Sequence, residues 1–135
     1  MKKNFSWAVR VYFEDTDVGG VVYYANYLKY LERARSEWLR ALGFDQGRLM
    51  AETGLGFAVR SIAAEYLKPA RLDDELRVAS RIESHGRVQV VFDQRIERGD
   101  ETLLTAKVRI ACMYLSRGKA APMPQDIYEQ FEQLT

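Results

Sequence analysis

A single long amphipathic helix with strand patterns on both sides constrains the fold of this chain more than any other feature. Apolar residues recur at three- and four-residue steps between Tyr24 and Leu42, and charged residues occupy the opposite side. This spacing is typical of a helix that buries one apolar stripe against a core. We expect Gly43 to end the helix, because glycine readily adopts the left-handed conformation that follows many helices.

The remaining segments are mostly strand patterns. Before the long helix, a period-two alternation predicts a half-buried strand whose inward residues are Trp7, Val9, Val11 and Phe13. After it, Asp45 and Gly54 are expected to cap a short second helix. Four more strands are then expected within residues 57–67, 76–82, 88–96 and 104–114. A short terminal helix is expected from Gln125 to Leu134.

This order predicts an α+β domain with one five-stranded antiparallel sheet and its helices against one face. The 135 residues are enough for one core and too few for two. One long helix cannot cover both faces of such a sheet. We therefore expect the uncovered face or an edge strand to pair with another subunit, giving a homodimer or a larger homo-oligomer.

Composition excludes several classes of function. The formal net charge of +1 leaves no basic excess for nucleic acid, and no run of about 18 apolar residues predicts a transmembrane segment. The start, Met1 to Ser6, lacks the apolar stretch of a secretory signal, so we expect a cytoplasmic protein. The single cysteine, Cys112, lies in an apolar run typical of an inert core thiol. One cysteine and one histidine cannot build a metal site of thiolate and imidazole ligands.

Acidic and glycine residues fill the junction between the first strand and the long helix, from Glu14 to Gly20. A carboxylate just before a helix start lies near unpaired backbone N–H groups and the positive end of the helix dipole. The N–H groups could bind the oxygen of a polarised carbonyl while the carboxylate attacks its carbon. Asp17 is therefore the leading candidate for a catalytic residue. Asp15 and Asp17 could instead be turn carboxylates that accept backbone hydrogen bonds. For Asp15 we favour that structural interpretation.

Two segments make the chain resemble a known family. Residues 11–27 read VYFEDTDVGGVVYYANY and are followed by YLERAR at 30–35, and residues 66–76 read YLKPARLDDEL. These segments resemble hotdog-fold acyl-CoA thioesterases, and in particular the 4-hydroxybenzoyl-CoA thioesterase family and its YbgC-like branch. The resemblance covers nearly the whole chain. It implies a hotdog fold, in which a curved antiparallel sheet wraps one long central helix and the active sites lie at a subunit interface.

The resemblance also implies roles for individual residues. Asp17 would be the catalytic carboxylate, either attacking the thioester carbonyl directly or activating water as a general base. The backbone N–H of Tyr24 would donate a hydrogen bond to the thioester oxygen as negative charge develops there. The glycines would allow a tight turn beside the substrate, and Asn26 and Tyr27 would help to fix the helix start. The implied substrate-binding residues of this segment are Gly19, Gly20, Val21, Tyr23, Asn26 and Tyr27.

Coenzyme A enters as part of the substrate, and no separate cofactor is expected. Its phosphates need basic side chains near the mouth of the site, and the candidates are Lys68, Arg71, Arg117 and Lys119. Each of them could also be an ordinary solvated loop charge. Of the four tyrosines at 23, 24, 27 and 30, some should be core residues and the others could line an acyl pocket.

One departure from the family pattern keeps the substrate open. The YbgC-like branch typically has histidine where this chain has Tyr24, whereas the 4-hydroxybenzoyl-CoA branch has tyrosine. Short aliphatic, long aliphatic and aromatic acyl groups therefore all stay candidates. Two other functions also stay open: a non-catalytic module that binds acyl carrier or envelope-associated proteins, and a hotdog dehydratase. Dehydratase chemistry in this fold generally uses a histidine, and His85 is placed in a hairpin turn by the sequence pattern.

Overall fold

The computed structural model describes residues 3–135; Met1 and Lys2, part of the charged start considered above, lie outside the described residues. Eight of the nine main elements follow the expected order, and one short strand is additional. They are β1 (Asn4–Arg10), α1 (Asn26–Ala41), α2 (Gln46–Thr53), β2 (Leu55–Tyr66), β3 (Glu75–His85), β4 (Gln89–Arg98), β5 (Glu101–Tyr114), β6 (Lys119–Ala120) and α3 (Gln125–Leu134).

The strands form one antiparallel sheet in the order β1-β3-β4-β5-β2, so β1 and β2 are its edges. The two-residue strand β6 pairs with the end of β5 and adds a sixth strand to the five expected. Helix α1 packs on the inner face of this curled sheet. The expected α+β class and hotdog arrangement are therefore confirmed.

The apolar stripe of α1 fills the centre of the core. Its buried residues are Tyr27, Tyr30, Leu31, Ala34, Arg35, Trp38 and Leu39. The helix begins at Asn26, so Tyr24, which the periodicity placed in the helix, lies outside it with 63% of its surface exposed. Arg35 is the other difference. It lies four residues after Leu31, on the same face of the helix. It is buried because its guanidinium donates a hydrogen bond to Gln94 in the sheet.

The first strand ends earlier than its alternation predicts. Val9 and Val11 are buried as expected, but Phe13 is 81% exposed. Trp7 lies within β1 and is 37% exposed, so it is covered less than the alternation predicts. After Arg10 the chain leaves the sheet and turns through a single 3-10 turn at Phe13–Asp15. The alternation cannot continue inward because a 3-10 turn no longer places alternate side chains on opposite faces.

The helix ends follow local capping chemistry. Asp45 accepts a hydrogen bond from the Arg48 backbone N–H at 3.1 Å, and Gly54 ends α2 with a φ of 76°. Helix α3 occupies the expected residues and buries its apolar stripe, Ile127, Phe131 and Leu134. None of the helices within residues 3–135 is long and apolar enough to cross a membrane.

The outer face of the sheet carries alternating charges that pair across strands. Arg77 and Glu97 approach to 2.7 Å, and Arg81 and Asp93 to 2.6 Å. These side chains are partly or largely exposed, so each pair contributes little to stability.

Cys112 lies on the opposite, inner face of the sheet and is fully buried. Burial raises the pKa of its thiol, as expected for an inert core cysteine.

Candidate active site

The acidic junction folds into a small hairpin that leads directly into α1. The Tyr23 N–H donates to the Asp15 carbonyl at 2.9 Å, and the Asp17 N–H donates to the Val21 carbonyl at 2.9 Å. Between them, Thr16 and Val22 form an antiparallel bridge. Gly20, with a φ of 80°, closes the turn and donates its N–H to the Asp17 carbonyl. The expected tight turn therefore lies immediately before the helix.

The Asp17 carboxylate is oriented by only one of its two oxygens. Oδ1 accepts a hydrogen bond from the Gly19 backbone N–H at 2.8 Å. The second oxygen has no hydrogen-bond donor within residues 3–135, and the residue is exposed. One oxygen of Asp17 therefore acts as a turn acceptor, as the structural interpretation expected. The other is free to approach a substrate or to accept a proton from water.

The backbone N–H of Tyr24 is also free. Its residue lies between the hairpin and the first residue of α1, and no acceptor for this N–H occurs among the described residues. The carbonyl of the same residue is held by the Tyr66 hydroxyl, which donates to it at 3.0 Å. An unpaired N–H at a helix start, where the helix dipole is positive, can stabilise a developing oxyanion.

Tyr66 is a residue of this region that sequence analysis missed. It ends β2, and its ring packs edge-on against Tyr24 and Tyr27, with centroids 6.5 and 5.5 Å away. Burial raises the pKa of its hydroxyl. Nothing in the chain near position 66 predicts this contact, because its partner lies 42 residues away.

The tyrosine cluster divides into buried and exposed members. Tyr27 and Tyr30 are core residues, whereas Tyr23 and Tyr24 are exposed and their ring centroids lie 4.8 Å apart. The neighbouring Tyr24 hydroxyl raises the pKa of Tyr23. The exposed pair, with Tyr66, forms an aromatic surface beside the free Tyr24 N–H. Such a surface can contact an acyl group.

Asn26 and Tyr27 bind other parts of the protein. Asn26 Nδ2 donates to the Asp15 carboxylate at 3.2 Å, and the Tyr27 hydroxyl accepts the Ala70 N–H at 2.9 Å. The Tyr30 hydroxyl is buried without a hydrogen-bond partner. Burial and, second, the nearby Asp15 carboxylate raise its pKa. These contacts fasten the helix start to the loops around it.

Two of the four candidate phosphate-binding residues lie beside the hairpin. Arg71 forms a backbone bridge with Val21, and its exposed side chain makes no ion pair within the described part of the chain. Lys68 lies in the same loop but is paired with Glu101 at 2.8 Å. Arg71 is therefore the cation more available to a phosphate.

Asp74 fixes the shape of that loop. Its carboxylate accepts the Arg71 N–H at 2.9 Å and pairs with Arg98 at 2.7 Å. Burial by itself would raise the pKa of Asp74, but these two donors outweigh burial and hold that pKa below its usual value. The ionised form of Asp74 thus supports the loop that carries Arg71.

The other two candidates, Arg117 and Lys119, are not brought to this site within one subunit. They follow Tyr114, which pairs with Leu55 at the start of β2, whereas Tyr66 ends that strand. Eleven residue steps along a strand correspond to roughly 36 Å. The Arg117 guanidinium lies 4.6 Å from the centre of the Tyr114 ring.

His85 lies at the far end of β3, where its Nδ1 is 2.8 Å from the Thr135 hydroxyl. The opposite end of β3, at Glu75, is the one that pairs with Arg10 near the hairpin. Within residues 3–135, no group of three or more His, Cys, Asp or Glu side chains is arranged to hold a metal ion. The geometry gives His85 no contact with Asp17.

A small cavity of about 80 Å³ lies between the three helices and the inner face of strands β2, β4 and β5, away from the hairpin. Its walls are mainly apolar and include Phe57, Phe92 and Phe131, but Arg35 also lines it. Arg35 is 6% exposed, and desolvation lowers its pKa to about 10. Its neutral partner is Gln94, whose Oε1 accepts from the guanidinium at 2.9 Å.

Comparison with known proteins identifies several close similarities. The model of the thioesterase-like superfamily matches residues 11–131. The acyl-CoA thioesterase YbgC of Haemophilus influenzae is 41% identical over 134 residues, covering 99% of this chain and 98% of that protein. The acyl-CoA thioester hydrolase YbgC of Escherichia coli O157:H7 is 46% identical over 130 residues, covering 96% of each chain.

Solved structures agree with these sequence matches. A probable thioesterase from Bartonella henselae superposes with a TM-score of 0.86 at 37% identity, covering 90% of this chain and 99% of that one. A 1,4-dihydroxy-2-naphthoyl-CoA thioesterase from Synechocystis superposes with a TM-score of 0.88 and covers 97% of each chain. Its sequence identity of 24% makes the second match evidence for the fold alone.

Proposed function

Because this chain belongs to the thioesterase-like superfamily and is a thioester hydrolase, we propose that it hydrolyses acyl-coenzyme A to a free acid and coenzyme A with Asp17 as the catalytic carboxylate. One observation carries this assignment. The Asp17 carboxylate is held by Gly19 through one oxygen and keeps the other free, on a hairpin tied to the helix start where the Tyr24 N–H is free.

The proposed reaction has two possible first steps. In the nucleophilic route, the free oxygen of Asp17 attacks the thioester carbon, the C–S bond breaks and the coenzyme A thiolate leaves. Water then opens the resulting mixed anhydride to give the acid and regenerate the carboxylate. In the general-base route, Asp17 takes a proton from water, which attacks the same carbon. Neither route requires a cofactor.

The Tyr24 N–H serves both routes in the same way. The thioester oxygen gains negative charge as the carbon becomes tetrahedral, and a fixed donor stabilises that charge. Loss of one such donor typically costs about 3–4 kcal/mol in comparable sites. A backbone donor cannot be removed by changing a side chain. Its placement therefore depends on the contacts that hold the Tyr24 carbonyl and the hairpin.

Thiol release from a panel of acyl-CoA thioesters tests the assignment. The panel should contain short aliphatic, long aliphatic and aromatic acyl groups, with wild type, Asp17→Asn and Glu14→Gln compared. Glu14 is an exposed carboxylate on the preceding 3-10 turn, so it is a matched control for loss of one negative charge. We expect Asp17→Asn to lose at least about 100-fold in kcat and Glu14→Gln to keep it.

Two results would contradict the proposal. A folded Asp17→Asn variant with wild-type turnover would remove Asp17 from the chemistry. Absence of turnover on every panel member would point to an acyl-carrier-protein substrate or to the binding-module alternative. Thermal unfolding of each variant distinguishes lost chemistry from lost structure.

Single-turnover hydrolysis in oxygen-18 water tests for the anhydride. Label in the Asp17 carboxylate requires an anhydride that water opens at the aspartyl carbonyl. Label found only in the product acid means that water attacked the acyl carbonyl, which the general-base route requires and the anhydride route also allows. Mass spectrometry of the peptide that contains residues 11–27 measures the oxygen-18 label in the Asp17 carboxylate directly.

We also propose a homo-oligomer in which β2 pairs with its copy. This 12-residue edge strand has an unpaired side and exposes Val59 and Tyr66. Antiparallel pairing about its middle would place Tyr66 beside the partner subunit's Leu55. It would thus bring the partner's Arg117 and Lys119 towards the site from which they are remote within one subunit. Sedimentation equilibrium tests the assembly, and a strictly monomeric active enzyme would contradict it.

The dehydratase alternative has less support, because His85 is at the end of β3 remote from Asp17.

We also place the reaction in the cytoplasm. Buried, unpaired Cys112 supports that location, since exported proteins more often pair their cysteines. Cell fractionation would test it.

A further inference from the structure

Asp15 makes more hydrogen bonds than Asp17, and all of them stay within the loop and the helix start. Its Oδ2 accepts the Tyr12 N–H at 2.8 Å, and its Oδ1 accepts from Asn26 Nδ2 at 3.2 Å. Its carbonyl accepts the Tyr23 N–H at 2.9 Å and a longer contact from Asn26 Nδ2 at 3.4 Å. Its own N–H donates to the Tyr12 carbonyl at 3.0 Å.

These bonds connect the two groups that the proposed reaction uses. Asp17 lies two residues after Asp15 on the first arm of the hairpin. The Tyr24 N–H lies on the second arm, between Tyr23 and Asn26, and both of these residues donate to Asp15. A movement of Asp15 would therefore change the position of the Tyr24 N–H relative to the Asp17 carboxylate.

We propose that Asp15 is a positioning residue, whose carboxylate holds the Tyr24 N–H in register with the Asp17 carboxylate through Tyr12 and Asn26. This inference rests on the proposed function, because it assigns Asp15 a part in that reaction. Asp15 touches neither the substrate nor the reacting atoms in this scheme. Its effect is carried by the backbone geometry of residues 15–26.

The chemistry of the side chain explains why a carboxylate is needed here. Two separate donors, the Tyr12 N–H and Asn26 Nδ2, converge on its two oxygens. An asparagine at this position has one acceptor oxygen, and its amide nitrogen would face a donor. The Asp15→Asn variant therefore loses one bond and places two donors against each other.

An exchange of the two side chains tests the side-chain bond, and it gives up only the longer 3.4 Å contact from Asn26 Nδ2 to the carbonyl of residue 15. In the double variant Asp15→Asn, Asn26→Asp, the amide at position 15 can accept from Tyr12 and donate to the carboxylate at position 26. The chain keeps the same composition and net charge. Glu14→Gln again provides the matched control, because it removes the neighbouring exposed carboxylate without breaking these bonds.

The test measures kcat and KM by thiol release for wild type, Glu14→Gln, Asp15→Asn, Asp15→Ala and the exchanged double variant. We expect both single Asp15 variants to lose about 100-fold in kcat, since displacement of a reacting group by about 1 Å can cost that much. KM should stay within about threefold, because Asp15 makes no substrate contact. The kcat of the exchanged double variant should be at least tenfold higher than that of Asp15→Asn.

Wild-type kcat in folded Asp15→Ala would overturn the inference, as would a loss that the exchanged variant does not reverse at all. A variant that only unfolds more easily, with kcat per folded molecule unchanged, would show a purely structural role and would also overturn it. Asp17→Asn is assayed in parallel. Full activity of that variant refutes the proposed function, and the amide-exchange measurement then decides whether Asp15 holds the hairpin.

Amide hydrogen exchange by NMR keeps the inference testable if no panel substrate is hydrolysed. Asp15→Ala should raise the exchange rates of the Asp17, Tyr23 and Asn26 amides at least tenfold. The Ala106 amide in β5, a strand inside the sheet, should be unchanged and serves as the internal reference. Unchanged exchange across residues 15–26 would show that Asp15 does not hold the hairpin.

Discussion

Replacing Gln94 by leucine is expected to destabilise the protein more than replacing Gln94 and Arg35 together by apolar residues. Gln94 is fully buried beneath α1, and its Oε1 accepts from Arg35. Its Nε2 donates to the Leu31 carbonyl and the Ser80 hydroxyl, both at 3.0 Å. Leucine at position 94 would leave a buried guanidinium without its acceptor.

The magnitude follows from the partners that are lost. A hydrogen bond to a charged group contributes about 1.5–3 kcal/mol, and an unsatisfied buried hydroxyl such as that of Ser80 costs about 1–2 kcal/mol. Gln94→Leu should therefore lower the free energy of unfolding by about 3–5 kcal/mol. Adding Arg35→Met removes the uncompensated cation, so the double variant should lose only about 1–2 kcal/mol.

Urea unfolding followed by circular dichroism measures this difference at one fixed protein concentration. At a typical slope of about 2 kcal/mol per M, a loss of about 4 kcal/mol moves the unfolding midpoint by about 2 M. Gln89→Leu is the matched control on the same strand. Its side chain accepts from exposed Arg109 at 3.0 Å, so its loss should cost under about 1 kcal/mol. A double variant as unstable as Gln94→Leu would refute the reasoning.

Three further predictions concern the loops of the candidate active site. Arg71→Gln should raise KM for acyl-CoA more than Lys68→Gln does, because only Lys68 is already paired with a carboxylate; steady-state kinetics at low and high salt measures both. Gly19→Ala should lower kcat by about tenfold or more, because the new Cβ would lie 3.3 Å from the Asp17 Oδ1. The free energy of unfolding should change by under about 1 kcal/mol. Steady-state kinetics measures the first effect and thermal unfolding the second. Asp74→Asn should lower the free energy of unfolding by about 1–2 kcal/mol at pH 7. The folded-state pKa of Asp74 is lowered, so this contribution is present above the unfolded pKa of about 3.9 and is lost as pH falls through the folded pKa. Urea unfolding at pH 7 and near pH 3 should show the difference between wild type and Asp74→Asn shrinking in acid.

The element order could be predicted because its signals are local. Periodicity located α1 and the strands, and capping chemistry at Asp45 and Gly54 located α2. Helix α3 has the predicted residues. The turn at Gly20 was implied by the family resemblance, and its positive φ is one that favours glycine. The errors at Phe13 and Tyr24 occurred at element ends, where periodicity cannot show how far a strand or helix continues.

The sequence by itself determined the α+β class and the family resemblance, and it made Asp17 the candidate carboxylate, because each depends on residues close together in the chain. Only the tertiary structure decided which side chains meet across long separations. The Tyr66 hydroxyl reaches Tyr24 over 42 residues, and Arg35 reaches Gln94 over 59. The physical reason is that a side chain's burial and hydrogen-bond partner depend on the neighbouring strand or loop. Hydrophobic periodicity indicates which face of α1 is inward, but it cannot indicate that a glutamine on β4 makes a buried arginine acceptable there.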